Sequence, residues 1–124
     1  MSQITISKAQ IEQSKKNPEL VVLTAKQVQK DFAMFGIQVS FSNNTNLVYD
    51  ELFTQLNRYV QDMLDNNYDK LVSLIYQIDL NKKELAKPEP DIESDSISEL
   101  ITYKILEREF KKILIRLYFK EKEQ

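Results

Sequence analysis

Residues 96–120 read SISELITYKILEREFKKILIRLYFK. Apolar residues recur in this segment at steps of three and four, a spacing that places them on one face of an α-helix. They are Tyr103, Leu106, Phe110, Ile113 and Leu117. Ser96 and Glu99 have the S-x-x-E spacing of a capping box, in which each side chain accepts a hydrogen bond from the other residue's backbone amide. The segment therefore predicts one long amphipathic helix.

Residues 17–36 show the same periodicity. Asn17 is a favourable N-cap, Pro18 suits the first helical position, and Gly36 suits the left-handed residue that ends a helix. A competing interpretation makes residues 20–23 a short strand and starts the helix at Thr24. The unbroken three-four spacing favours the long helix, with these residues on its apolar face: Val21, Ala25, Val28, Phe32 and Phe35.

Two further segments complete a set of four main helices. Residues 47–65 carry one apolar face and one polar face, and a helix beginning at Tyr68 carries Tyr68, Leu71, Ile75 and Ile78 on its predicted apolar face. Residues 37–41 alternate like a strand, but no partner strand is evident, so we interpret them as an extended connection over the core. Amphipathic helices with short connections predict an all-α fold, a small antiparallel bundle of four main helices with the long C-terminal helix central.

The chain is predicted to form a single domain over residues 17–124. Residues 1–16 are expected to be a weakly ordered N-terminal arm, because Ser7 and Gln10 can cap only a short, polar helix there. Residues 87–95, KPEPDIESD, hold two prolines and four acids and predict an acidic linker within the domain.

Composition excludes several classes of function. The sequence has one glycine in 124 residues, where average usage gives roughly nine, and glycine-rich nucleotide loops are therefore absent. It has no cysteine and no histidine, so thiolate nucleophiles, imidazole bases and zinc sites of the usual composition are excluded. We expect no enzymatic activity, no cofactor and no metal. With neither a signal-peptide pattern nor a membrane-spanning run, we expect a cytoplasmic protein without membrane contact.

Asp79 is the one carboxylate that the pattern places beside an apolar helix face. A buried acid needs either a partner or exposure to water. We expect Asp79 to cap a helix end or to pair with Arg108 or Arg116, and we do not expect it to bind a ligand.

Four basic residues share one face of the C-terminal helix: Lys104, Arg108, Lys111 and Lys112. Such a face can contact phosphates. However, the chain has a net charge of −2 and no DNA-reading motif accompanies these residues. Binding of a polyanion or nucleic acid through this face is therefore the alternative function, with nucleic acid unlikely as a partner.

A second apolar set lies on the same side of the helix: Ile97, Ile101, Ile115 and Phe119. A helix that is apolar on two sides is either central in its fold or in contact with a partner. Residues 1–16 or 37–41 could cover this set within one chain. The sequence nevertheless favours a protein–protein interaction or scaffold-like module that forms a homo-oligomer, or binds another protein, through its last helix.

Overall fold

The computed structural model describes residues 5–89 and 96–122, and those residues form six α-helices without a β-strand. The helices are α1 (Lys8–Ser14), α2 (Pro18–Ala33), α3 (Thr45–Asn66), α4 (Tyr68–Gln77), α5 (Lys82–Ala86) and α6 (Ile97–Lys122). The all-α class is confirmed, and α2, α3, α4 and α6 are the four predicted main helices. Residues 1–4 of the predicted arm and 90–95 of the predicted linker lie outside the described residues.

α6 lies at the centre of the helix packing, against α1, α2, α3 and α5. Three consecutive residues, Lys104, Ile105 and Leu106, are all buried. Because consecutive residues point about 100° apart around a helix, neighbouring helices must cover α6 on more than one side. Its buried set is Ser98, Thr102, Lys104, Ile105, Leu106, Glu109, Phe110 and Ile113.

The α2 and α6 helices run antiparallel. Lys112 contacts Asp31, and one turn further along α6, Arg116 contacts Gln27, one turn back along α2. The two contacts form a polar ladder between the helices. An antiparallel arrangement was predicted, and this pair shows it.

The segment between α2 and α3 changes the predicted arrangement of those two helices. Residues 37–42 are extended and run antiparallel to α3, with Gln38, Ser40 and Ser42 bonded in turn to Tyr59, Gln55 and Glu51. The same segment folds back along α2, where the Gln29 side chain donates to the Val39 carbonyl. α2 and α3 therefore point in broadly the same direction along this segment, because an extended return separates them. The segment lies over the core as predicted, with Ile37 and Val39 buried.

Side-chain caps begin the helices in a protein with almost no glycine. The predicted caps at Ser7 and Asn17 are confirmed, Asn81 caps α5, and Ser96 accepts from the Glu99 amide. Asn67 has two roles: its amide donates to the Met63 carbonyl at the end of α3, and its side chain accepts from the Lys70 amide at the start of α4. The predicted strand alternative for residues 20–23 is wrong, since those residues lie within α2.

The helices α2 and α4 end in the same motif. A left-handed residue follows the helix, and its own amide and the next amide both donate to carbonyl oxygens of the final turn. In α2 the left-handed residue is Gly36, with φ 73°; its amide bonds to Ala33 and the following amide to Phe32. In α4 that residue is Asp79, with φ 61°; its amide bonds to Tyr76 and the following amide to Ile75. The helix end predicted at Gly36 is confirmed. The left-handed conformation of Asp79 was not predicted.

The N-terminal arm contains a capped helix. In the Ser7–Gln10 capping box, each side chain accepts a hydrogen bond from the other residue's backbone amide. Ile11 of α1 is buried. The Lys15 side chain, just after α1, donates to Glu107 of α6 at 2.6 Å. α1 thus packs on α6 through one apolar side chain and one ion pair.

The shared end motif predicts how stability responds at the two left-handed positions. A Cβ added at Gly36 meets no atom within 4 Å, so Gly36→Ala should lower the free energy of unfolding by about 1 kcal/mol through backbone strain alone. Asp79→Ala keeps a strained residue and loses the contact with Arg108, whereas Asp79→Gly relieves the strain. We expect urea denaturation followed by circular dichroism to rank Asp79→Gly about 1 kcal/mol above Asp79→Ala. A glycine variant less stable than the alanine variant would contradict this assignment.

Candidate functional site

Lys104, the first of the predicted basic residues, is buried and serves the fold. Only 4% of its side chain is exposed. Its Nζ donates to the carbonyl oxygens of Glu84 and Lys87 and lies 3.5 Å from Glu89. A cation at a helix C-terminus satisfies the last carbonyls and the helix dipole. Lys104 therefore fastens the end of α5 to α6, and its charge is not available to an external anion.

Arg108 holds the turn after α4. Its Nε donates to the Ile78 carbonyl at 3.1 Å, and its terminal nitrogen lies 3.2 Å from the Asp79 carboxylate. The expected pairing of Asp79 with an arginine is thus confirmed, with Arg108 as the partner. The Asp79 side chain is 85% exposed, and a pair this open to solvent contributes little to stability.

Lys112 belongs to a polar cluster between α2 and α6 in which Asp31 and Glu109 are buried. Its Nζ lies 2.9 Å from Asp31 Oδ2 and 3.2 Å from Glu109 Oε1. Asp31 accepts a second hydrogen bond from Gln27 at 3.0 Å, and Arg116 donates to Gln27 in turn. This cluster, which comprises Gln27, Asp31, Glu109, Lys112 and Arg116, joins the two helices through hydrogen bonds and charge.

Lys111 differs from the other three predicted basic residues. It is half-buried, and no other described residue pairs with it. It borders a cleft of about 340 Å³ between α1, the α4–α5 turn, α5 and α6. Five cations and four carboxylates line that cleft, so its charge nearly cancels. The structure thus uses three of the four basic side chains internally and leaves one available.

At the edge of this cleft, the Lys15 ammonium lies close to two tyrosine rings. Lys15 Nζ lies 4.9 Å from the ring centre of Tyr49 and 5.1 Å from that of Tyr103. Burial alone would lower the pKa of Lys15, but hydrogen bonds to Glu107 and Glu12 together with nearby negative charge outweigh it and raise that pKa. Burial and the Glu107 charge raise the pKa of Tyr103 to about 12. Lys15 stays charged and both tyrosines stay neutral at physiological pH, which suits a structural contact.

Glu109 is the most perturbed acid among the described residues. Its side chain is fully buried, and neither carboxyl oxygen accepts a hydrogen bond. Burial raises its pKa to about 8, and Asp31 adds to the rise through hydrogen bonding and charge. Lys112 opposes the shift, but the same lysine is held closer to Asp31. The burial of Glu109 without a hydrogen bond therefore favours its protonated form at neutral pH.

The C-terminal turns of α6 leave apolar side chains exposed. Beyond Ile113 no described residue of α6 is fully buried. Ile115, Tyr118 and Phe119 lie at spacings of three and four and form one face, which we call the α6 end face. Phe119 is 52% exposed, Tyr118 is exposed and Ile115 is half-buried.

The four predicted self-association residues do not form one patch. Ile97 is 67% exposed at the start of α6, and Ile101 packs against the core. Ile97 and Phe119 are 22 positions apart, a separation of roughly 33 Å along a helix. Only Ile115 and Phe119 lie together, at the C-terminal end.

A second exposed apolar surface was missed. Tyr68, Val72 and Tyr76 recur every four residues along α4, and we call them the α4 stripe. All three are exposed, Tyr76 by 85%. Tyr68 had been placed on the buried face, and that prediction is wrong: the buried residues are Leu71, Leu74 and, just beyond the helix, Ile78. The exposed residues and the buried residues both recur at helical spacing. Periodicity alone therefore could not decide which set faces the core.

The described ranges contain no cluster of three or more acidic, cysteine or histidine side chains suited to a metal ion. None of the helices seen in them is long and apolar enough to cross a bilayer. The Asp31–Glu109 carboxyl pair is the nearest approach to acid–base chemistry, but it is sealed between two helices. An acid–base group must reach its substrate directly or through one water, so the exposed surfaces are the better candidates for function.

The buried Glu109 predicts an unusual dependence of stability on pH. The folded chain keeps a proton that the unfolded chain releases above its ordinary pKa of 4.5. The contribution of this proton to the free energy of unfolding is therefore fully present at low pH. It falls by up to about 1.4 kcal/mol per pH unit between roughly pH 4.5 and 8, and it levels off above that range. No histidine titrates in this window, because the chain has none. Urea denaturation at pH 5 to 9 should show this slope.

Glu109→Gln should flatten the slope, because glutamine keeps the shape and has no proton to release. Glu107→Gln is the matched control: it lies two residues away, removes the partner of Lys15, and should leave the slope unchanged. An equal slope in Glu109→Gln and the parent protein would show that Glu109 is ionised in the fold.

Comparison with known proteins gives no assignment. No protein-family model, curated protein or solved structure shows significant similarity to this chain. The function must therefore be inferred from which side chains the fold uses and which it leaves exposed.

Proposed function

We propose that the protein is a cytoplasmic helical module that self-associates, and that its C-terminal helix supplies the contact. The single observation that supports this most directly is the α6 end face. Two aromatic side chains lie in water at the end of a helix whose preceding turns are enclosed. Aromatic residues carry much of the binding energy in protein interfaces.

The neighbouring helix extends this surface. The polar ladder pairs Asp31 with Lys112 and Gln27 with Arg116. One more turn in each direction brings Leu23 to the level of Phe119. Leu23 is exposed as well, so α2 adds an apolar side chain beside the α6 end face. Grouped apolar side chains on a small protein support an interaction site better than scattered ones.

The alternative function, polyanion binding, has weaker support. Phosphate contacts need cations that are free to replace counterions. Lys104, Arg108 and Lys112 are each bound to oxygen atoms of their own chain, and redirecting them would break the contacts that hold α5, the α4 turn and α2. Lys111 alone among the four predicted residues remains available.

Self-association is tested by solution mass over a range of concentration. Sedimentation equilibrium from 1 to several hundred micromolar should show mass above the 14.6 kDa monomer at the upper end. Phe119→Ser should raise the dissociation constant about tenfold or more, as expected for an aromatic anchor. Met34→Ser is the matched control, since Met34 is 62% exposed beyond the opposite end of α2. A monomer at every concentration would disprove the proposal.

The polyanion alternative has its own measurement. Fluorescence anisotropy with a labelled single-stranded oligonucleotide at low salt should show no saturable binding tighter than roughly 100 µM, the weak end of non-specific binding. Tighter, salt-dependent binding that Lys111→Ala weakens would favour the alternative instead.

A further inference from the structure

We propose that the α6 end face of one molecule docks against the α4 stripe of a second copy. This inference rests on the proposed self-association and adds the identity of the opposing surface. Both surfaces are unpartnered within the described chain, and they differ in charge.

The α4 stripe is a straight aromatic ridge. A spacing of four residues keeps Tyr68, Val72 and Tyr76 on one side of the helix, and the eight positions between the outer two cover about 12 Å. The opposite side of α4 is fixed to the core by Leu71 and Leu74. The ridge is therefore held firmly while its own side chains face solvent.

The charge beside the α4 stripe is acidic. Asp69 is exposed and lies three residues before Val72, on the same side of the helix. Lys70 is half-buried and two positions from both Tyr68 and Val72, so it points elsewhere. The ridge thus presents apolar rings beside negative charge.

The α6 end face has the opposite charge. Lys111 lies one turn before Ile115, and Lys122 lies one turn after Tyr118, on the same side of the helix. Lys122 Nζ lies 5.5 Å from the Tyr118 ring centre, and no other described residue pairs with Lys111. From Lys111 to Lys122 the helix advances about 16 Å, so the two lysines flank the apolar side chains, and with the exposed Glu121, three residues after Tyr118, the net charge of this face is positive.

The two faces are both apolar and carry opposite net charge. An interface built on three large side chains from each molecule is small, near the lower end of specific interfaces at about 1,200 Å² or less. Such an interface predicts transient association in the micromolar range rather than a permanent dimer. Complementary charge at its edge would orient the encounter and be screened by salt.

The test uses one variant on each surface and a mixture of the two. Phe119→Ser removes an anchor from the α6 end face, and Tyr76→Ser removes one from the α4 stripe. Because both side chains are exposed, each variant should keep the parent's circular dichroism spectrum and melting temperature. Sedimentation equilibrium should show the dissociation constant of each variant alone raised about tenfold or more.

Mixing the two variants should restore association. In the mixture, an intact α6 end face on the Tyr76→Ser chain meets an intact α4 stripe on the Phe119→Ser chain. Labelling one variant with a fluorophore allows the mixed pair to be counted by fluorescence-detected sedimentation. Each pair of molecules shares one such contact in this proposal, so recovery to within a few-fold of the parent affinity is expected.

The outcomes separate this inference from the function it rests on. A parent protein that is monomeric at all concentrations overturns both. A parent that associates while Tyr76→Ser leaves its affinity unchanged overturns the α4 stripe as the docking surface and leaves self-association standing. Two weakened variants that fail to complement each other show that the α6 end face does not meet the α4 stripe, and this too overturns the proposal.

Discussion

The enclosure of α6 is the constraint on which the rest of the structure depends. A helix covered on several sides cannot leave its charged residues unpaired, because an unpaired buried charge costs far more than a hydrogen bond returns. Three of its cations therefore bind partners within the chain. Lys104 binds the end of α5, Arg108 binds the turn after α4, and Lys112 binds Asp31. Glu109 accepts no hydrogen bond, and burial raises its pKa and favours its protonated form. The enclosure ends at Ile113, and the exposed aromatic residues Tyr118 and Phe119 lie in the turns beyond it.

Local chemistry in the sequence was sufficient to locate the helices. Asn17-Pro18 begins α2 and Gly36 ends it, and the Ser7–Gln10 box begins α1, because each of these signals acts within a few residues. The left-handed Asp79 was not found, since aspartate adopts that conformation far less often than glycine. The extended return at residues 37–42 was recognised as a connection, but its effect on helix direction depends on hydrogen bonds to side chains of α3 that no local pattern encodes.

The candidate surfaces were only partly predictable, for a related reason. Periodicity identifies residues that share a side of a helix, but it does not say which side meets a neighbour. In α4 both sides carry apolar residues, and Tyr68 was assigned to the wrong one. In α6 the basic residues were predicted to share one face that could bind an anion. Their partners instead come from α2, the α4 turn and α5. Asp31, the partner of Lys112, is 81 positions away in the sequence. Sequence alone could identify the candidate residues, while their roles depended on the tertiary contacts.

Asn67 joins α3 to α4 with a single residue that closes one helix and opens the next. So short a joint places α4 directly after the long helix, and the buried Leu71 and Leu74 hold α4 against the core. The tyrosines of α4 are thus displayed in one fixed orientation. A molecule meeting that surface would lose little backbone freedom on docking, so even a modest contact area would retain most of its favourable free energy.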